Sequence, residues 1–109
     1  MLIARENERE WMSIAEGVEF CGLRINEMQG GAALIRMQKG ARFPVHNHKS
    51  DEQTLVLSGT VTLGDDTLSA GDYPMTAEGE QHAVFADEDC LMYVTVENGI
   101  EIVEAPPGD

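Results

Sequence analysis

Short apolar stretches separated by glycine and acidic turns run through almost the whole chain, and they constrain its fold more than any other feature. These stretches cover 18–25, 32–38, 52–63 with a bend at Gly59, 72–76, 81–86, 90–97 and 100–104. The breaks fall at 26–31, 39–44 and 64–66. Turn signals at this spacing are typical of an all-β sandwich or barrel with about eight to ten short strands.

Helical periodicity is confined to one short segment near the N-terminus. Residues 6–17 read "ENEREWMSIAEG", and the segment ends at Gly17. It predicts a single helical turn or an extended lead-in to the first strand. Pro106 and Pro107 are expected to end the last strand, because proline cannot extend the hydrogen-bond ladder. We expect one domain spanning 1–109, since a chain of 109 residues fits a single core.

The charge distribution excludes several classes of partner. The net charge is −13, and residues 50–109 contain 14 acidic residues but no lysine or arginine. Phosphate groups and anionic lipids need basic side chains, so neither nucleic acid nor a membrane surface is an expected partner. No apolar run approaches the roughly 18 residues of a membrane span. The apolar region of a signal peptide is missing as well, so we expect a cytoplasmic location.

Two cysteines, Cys21 and Cys90, lie far apart in the sequence and outside any CxxC pattern. In a reducing compartment they are expected to be free thiols. Small, buried, apolar-like side chains are their predicted role, and a redox pair is the alternative.

Two of the three histidines form the sequence HxH. In a strand, His46 and His48 point to the same face and can approach one metal ion together. Glu52 follows after a short gap, and a neighbouring strand could return its carboxylate to the histidines. The third histidine, His82, opens the stretch 81–86. An HxH pair alone is weak support for a metal site, but a carboxylate and glycines at fixed spacing strengthen it.

The spacing around HxH resembles the first sequence motif of the cupin family. Gly40, His46, His48, Glu52 and Gly59 stand at every fixed position of that motif. The second cupin motif fits less fully. Its Gly71, Gly79 and His82 are present, but Ala77 stands where proline is usual and Ala86 where asparagine is frequent. The chain looks like a single-domain cupin, similar to the cupin domains of zinc-dependent anti-sigma factors and to small dioxygenase-like cupins.

This resemblance implies a small jelly-roll β-barrel with one divalent ion at its mouth. The implied metal ligands are His46, His48, Glu52 and His82. Gln53 could replace or assist Glu52, although the spacing to Gly59 favours Glu52. Three imidazoles and a carboxylate suit iron, manganese, nickel, cobalt or zinc, and the sequence does not choose among them.

An apolar pocket is expected around the ion, with a few polar groups that orient a ligand. The candidate lining residues are Phe43, Val56, Met75, Val84, Phe85, Met92 and Tyr93. Arg36 or Arg42 could bind a carboxylate on the substrate, and Tyr73 or Tyr93 could donate a proton. If Glu52 faces inward, Thr54 and Val56 share its face, whereas Leu55 and Leu57 lie on the opposite one.

The predicted function is that of a metal-dependent, dioxygenase-like enzyme acting on a small chelating molecule such as a diketone. A cupin isomerase or epimerase would use the same ligands. A non-enzymatic metal-binding sensor is a third reading, although the anti-sigma cupins carry a helical domain for which this chain has no room. The sequence contains no GxSxG, Walker A or GxGxxG motif, so it gives no indication of hydrolase, P-loop or dinucleotide-binding chemistry. Cupins of this size are expected to pair as homodimers through open sheet edges.

Overall fold

Two antiparallel sheets form a jelly roll in the computed structural model, which describes residues 1–104. The all-β prediction is therefore confirmed. Within these residues the strands are β1 (Met12–Ala15), β2 (Val18–Ile25), β3 (Gln29–Met37), β4 (Arg42–His48), β5 (Glu52–Ser58), β6 (Thr60–Leu63), β7 (Asp66–Ser69), β8 (Met75–Thr76), β9 (Gln81–Ala86), β10 (Cys90–Asn98) and β11 (Ile100–Ile102). The predicted effect of Pro106 and Pro107 falls outside the described residues.

The candidate helix near the N-terminus is reduced to one 3₁₀ turn, Glu6–Glu8. The rest of that segment is extended, and β1 pairs with β2 through Met12 and Phe20. The segment therefore contains a single turn followed by extended chain, in agreement with the prediction from sequence. None of the described helical segments is long and apolar enough to cross a membrane.

The predicted break at 39–44 is only partly a break, because β4 already begins at Arg42. This strand contains Pro44, which has no N–H to donate. The pairing of β4 with β9 shifts register between Phe43 and His46, so the proline falls within the irregular part of the ladder. Sequence reasoning treated Pro44 as the end of a loop, whereas the sheet accommodates it in a strand.

The order of strands places the two halves of the candidate site on different sheets. One sheet has the order β1-β2-β3-β10-β5-β8, and the other has the order β11-β4-β9-β6-β7. The histidines lie on β4 and β9, whereas Glu52 begins β5. The apolar core fills the space between the sheets and consists of Val18, Met37, Val56, Val61, Leu63, Val84, Ala86, Cys90 and Met92.

Gly59 makes the sharp connection from β5 in one sheet to β6 in the other. Its φ is +79°, a backbone conformation that residues with a side chain rarely adopt. A Cβ at this position would also overlap the carbonyl oxygen of Asp89. Glycine is therefore required here both for the bend and for the close approach of the backbone, which explains its fixed place in the motif.

Candidate metal centre

Three imidazoles converge at one end of the barrel. His46 and His82 are direct partners in the register of β4 and β9, and His48 shares the face of His46 as its second neighbour along the strand. One ligand atom from each histidine lies within 4.8 Å of the other two. The ring centroid of His48 lies 4.7 Å from that of His46 and 4.7 Å from that of His82. The geometry could therefore bring three nitrogen ligands to one ion.

Backbone carbonyls hold two of these rings by their Nδ1 atoms. The distance from His46 Nδ1 to the Pro44 oxygen is 2.9 Å, and that from His48 Nδ1 to the Glu80 oxygen is 2.8 Å. A carbonyl only accepts, so each Nδ1 carries the proton and donates it. Each neutral ring then keeps a free lone pair on Nε2, the form that a metal ion requires.

His48 provides the clearest sign that a ligand belongs here. Its side chain is fully buried, yet its Nε2 has no hydrogen-bond partner among residues 1–104. A buried nitrogen without a partner is costly, and native proteins rarely tolerate one. A metal ion between the three imidazoles would satisfy this atom, so the donor set fits a divalent transition metal.

Glu52 lies beside the histidine cluster. Its Oε1 is 3.5 Å from His48 Nε2, and its side chain is 15% exposed. This distance exceeds that of a normal hydrogen bond, so the carboxylate faces the cluster without satisfying the nitrogen. Gln53 lies on the opposite face of β5, where its amide oxygen accepts a hydrogen bond from Thr95. The structure thus brings Glu52 to the histidines and points Gln53 away from them.

The loop before His82 compensates for the missing proline of the second motif. The N–H of Ala77 donates to the Glu80 carboxylate at 2.9 Å, and Glu80 N–H donates back to the Ala77 carbonyl at 3.0 Å. Proline at position 77 would lack the first of these bonds. The same loop presents the Glu80 carbonyl to His48. The two hydrogen bonds between Ala77 and Glu80 therefore hold the turn in place of the usual proline.

The electrostatics of the site keep two imidazoles neutral. Burial lowers the pKa of His46. For His82, burial and repulsion from the two neighbouring imidazoles lower the pKa to about 4. Burial also opposes the charged form of His48, but the Glu52 carboxylate and the Glu80 carbonyl outweigh it and raise its pKa. Of the three imidazoles, His82 is therefore the one whose protonated form is most strongly disfavoured.

An apolar cavity of about 300 Å³ opens between the sheets next to the cluster. His46, His82 and Glu52 form part of its wall. No lysine or arginine of residues 1–104 lines it. Away from the histidine cluster, such a cavity favours uncharged parts of a small ligand, because no basic side chain lines it to balance a negative charge.

Of the predicted pocket residues, Phe43 and Met92 line this cavity, as does Val84. Val56 lies in the adjoining core and is 1% exposed. Thr54 and Val56 share the inward face of β5, whereas Leu55 and Leu57 are exposed on the outer face.

The structure does not bring the remaining predicted pocket residues to the cavity. Arg36 lies on the outer surface, where its Nε donates to Glu19 at 2.8 Å and its guanidinium stacks over Trp11. Tyr73 and Met75 are 58% and 52% exposed and do not line the cavity. Closeness in sequence to the motif favours Arg36, and strand parity favours Met75, but neither property determines which side chains reach the cavity.

Sequence reasoning missed the wall that β1, β2 and β3 contribute to the cavity. Phe20 and Ile35 belong to this wall, and so does Gln29 at the start of β3. Val18 and Phe20, two residues apart on β2, lie on the same face of the strand. The pattern could not show that this face meets the histidines, because the contact depends on the order of strands in the sheet.

Comparison with protein families gives a match over most of the chain. The sequence model of the ChrR Cupin-like domain matches residues 1–98. No curated protein shows a significant sequence match.

Solved structures share the fold at low sequence identity. A candidate acetylacetone dioxygenase from Methylibium petroleiphilum PM1 has a TM-score of 0.85 and 18% identity, covering 98% of this chain and 83% of that one. An acetylacetone dioxygenase from Acinetobacter johnsonii has a TM-score of 0.81 and 16% identity, covering 95% and 77%. Identities this low establish the jelly-roll fold alone.

A third similar structure comes from the complex of Rhodobacter sphaeroides SigE with the anti-sigma ChrR. Its TM-score is 0.74 with 26% identity, and the match covers 85% of this chain and 52% of the other. The chain therefore resembles only about half of that protein.

Proposed function

Because the chain belongs to the ChrR Cupin-like domain family, we propose that it is a metal-dependent, dioxygenase-like enzyme. The proposed ligands of its single divalent transition metal ion are His46, His48, Glu52 and His82. The observation that carries this proposal is the buried, unpartnered Nε2 of His48 at the centre of three converging imidazoles. Iron, zinc, manganese and nickel all suit such a donor set.

The proposed substrate is a small neutral molecule with two chelating oxygens, such as a diketone or a hydroxy-ketone. The cavity supports this choice, since its wall is mostly apolar and contains no cation. A bound ion would supply Lewis-acid polarisation of those oxygens and, if it is iron, electrons for O2. The names of two similar structures, acetylacetone dioxygenases, point to the same substrate class.

The protein's own groups have two tasks in this proposal, one performed by backbone carbonyls and one by apolar side chains. The Pro44 and Glu80 carbonyls fix the ring orientation and tautomer of His46 and His48. Phe43, Val84 and Met92 exclude water from the cavity, which strengthens polar interactions at the ion.

Metal content and oxygen uptake together test the proposal. Untagged protein is analysed by elemental mass spectrometry, then loaded anaerobically with Fe(II) and mixed with pentane-2,4-dione in air-saturated buffer. We expect near-stoichiometric metal and O2 uptake that requires both iron and the diketone. Zinc-loaded protein serves as the control. Protein that binds no metal under either condition would refute the proposal.

A metal-binding sensor without enzymatic activity is the second candidate function. The similarity to a structure of ChrR in complex with SigE supports it. In this function, a protein partner would bind differently to the metal-loaded and the metal-free domain. Tight zinc binding without O2 uptake by the iron form would favour this function over the enzyme.

We also propose that the chain forms a homodimer. The sheets end at β1, β8, β7 and β11, which leaves open edges. Leu55, Leu57 and Met75 add exposed apolar surface on the outer face of the six-stranded sheet, with exposures of 37%, 44% and 52%. Light scattering after size exclusion should give the mass of two chains, and Leu57→Asp should shift it toward one. A monomeric mass for the unaltered protein would exclude the dimer.

A further inference from the structure

Gln29 has an unusual backbone conformation at the rim of the cavity. Its φ is +62°, and it is the one non-glycine residue with positive φ among residues 1–104. A residue with a long side chain rarely adopts this left-handed conformation, and persistent cases concentrate at functional sites. Glycine or asparagine would fit the turn with less strain.

The turn around Gln29 is held so firmly that the strain persists. The side-chain oxygen of Asn26 accepts hydrogen bonds from the N–H groups of Met28 and Gly30 at 2.8 and 2.9 Å. Its side-chain nitrogen donates to the Glu97 carbonyl at 2.8 Å. Asn26 thus ties the turn to β10 and fixes the direction in which the Gln29 side chain leaves the backbone.

Gln29 is exposed, and it is one of the residues that line the mouth of the cavity. Gln29, Gly30 and Gly31 all line it, and Gln29 is the only one of these three with a side chain. A Cβ at Gly30 would overlap the Glu97 carbonyl, and one at Gly31 would overlap that of Arg24. Apart from the proposed metal ligands, Gln29 and Thr54 are the only lining residues in the described chain with a polar side chain.

Strand register places Gln29 at the same end of the barrel as the metal centre. Val96 on β10 pairs with Gly31 on one side and with Glu52 on the other. Gln29 pairs with Asn98, two residues further along β10. Gln29 therefore lies just beyond the row that contains Glu52, at the exposed mouth of the cavity.

We propose that Gln29 is a substrate-positioning residue. Its carboxamide hydrogen-bonds to a hydroxyl or carbonyl group at the end of the substrate remote from the chelating oxygens. The substrate is then a small neutral chelator with one additional polar group, rather than a purely apolar diketone. This inference rests on the proposed function, because it needs a metal ion to hold the chelating end.

Two chelators that differ by a single hydroxyl group test this role. Allomaltol and kojic acid bind metals through the same pair of oxygens, but kojic acid carries a hydroxymethyl group where allomaltol has a methyl group. Their affinities for the zinc-loaded protein are measured by calorimetry, with zinc retention checked after each titration. Gln29→Gly removes the amide without straining the turn, and Gln53→Ala removes an amide from the outer face of β5 as the matched control.

We expect the unaltered protein and the Gln53→Ala variant to prefer kojic acid by roughly fivefold, the effect of one hydrogen bond. Gln29→Gly should abolish this preference while binding allomaltol as before. A merely structural role for Gln29 would change both affinities together. Equal binding of the two chelators by the unaltered protein, or a preference that survives in Gln29→Gly, would overturn the inference alone. Failure of both chelators to bind the zinc-loaded protein would overturn the proposed function and this inference with it.

Discussion

His46 and His82 face each other directly across the antiparallel pair of β4 and β9, with their ring centroids 5.0 Å apart. This register brings together residues that are far apart in the sequence. His48, on the same face of β4, completes the cluster. A shift of one residue between these strands would turn one of the facing rings to the other side of the sheet, so the site depends on the register of β4 and β9.

Replacement of His48 by alanine should remove most of the bound metal while the barrel stays folded. Loss of a residue that only orients a ligand lowers metal affinity by about 10- to 100-fold, so the loss of a ligand should cost at least as much. Elemental mass spectrometry after dialysis measures the metal, and circular dichroism monitors the fold. The Gln53→Ala variant should keep its metal. Stoichiometric metal in His48→Ala would contradict the ligand assignment.

Metal binding should stabilise the whole domain, because the proposed ligands belong to both sheets. At a free zinc concentration 100 times Kd, the free energy of unfolding should rise by about 2.7 kcal/mol. For a domain of this size, that corresponds to an increase in Tm of roughly 10 °C. Differential scanning calorimetry with and without zinc measures the increase. In Glu52→Ala the increase should be clearly smaller, and an undiminished one would exclude Glu52 as a ligand.

The metal-free protein should lose stability as the pH falls from about 6.5 to about 4, because of His82. The pKa of His82 is lowered to about 4 in the folded protein, so between these values the unfolded chain binds more protons than the folded one. The lowered pKa of His46 acts in the same direction, whereas the raised pKa of His48 acts against it. Urea unfolding at several pH values, with EDTA present, measures the trend.

The matched control for this pH dependence is His82→Asn, which cannot take up a proton at that position. Its stability should fall less than that of the unaltered protein over the same pH range. Parallel curves for the two proteins would show that His82 does not contribute to the pH dependence.

Filling the cavity should block ligand binding without removing the metal. Ala33 lines the cavity and is 8% exposed, so Ala33→Leu places additional carbon atoms where a ligand would lie. We expect affinity for allomaltol to fall by roughly 5- to 150-fold, the equivalent of the roughly 1–3 kcal/mol that overpacking costs. Metal content should stay unchanged. Leu55→Met, on the outer face, is the control, and unaltered chelator binding by Ala33→Leu would place the ligand elsewhere.

Arg36→Ala should leave metal and chelator binding unchanged, contrary to the expectation from sequence. Arg36 forms an exposed ion pair with Glu19 and stacks over Trp11. These contacts contribute about 1 kcal/mol to the free energy of unfolding. Urea denaturation measures that loss. A marked drop in chelator affinity would mean that Arg36 reaches the ligand after all.

The all-β architecture and the cupin family could be predicted from sequence, because spacing and alternation are local properties. Strands 18–25 and 81–86 have the predicted bounds. Alternation also placed Val56 and Leu55 on opposite faces, as found. Pro44 within β4 was misjudged, since its place in the sheet depends on an irregularity in the pairing with β9.

The surroundings of the site could not be predicted in the same way. Arg36 and Met75 were chosen as pocket residues, but strand order places both outside the cavity. Gln29 was overlooked because it lies in a segment that reads as an ordinary turn. Its proposed role depends on a backbone conformation that no sequence pattern indicates, and on the pairing of β3 with β10.

The pairing of His46 with His82 also sets an order of events during synthesis. The HxH pair on β4 is made before β5 to β8, and β9 is made only after them. A nascent chain that ends before β9 therefore has two imidazoles on an unpaired strand and no enclosed cluster. If the three rings hold an ion, their complete set of nitrogen ligands therefore forms only once β9 has paired with β4.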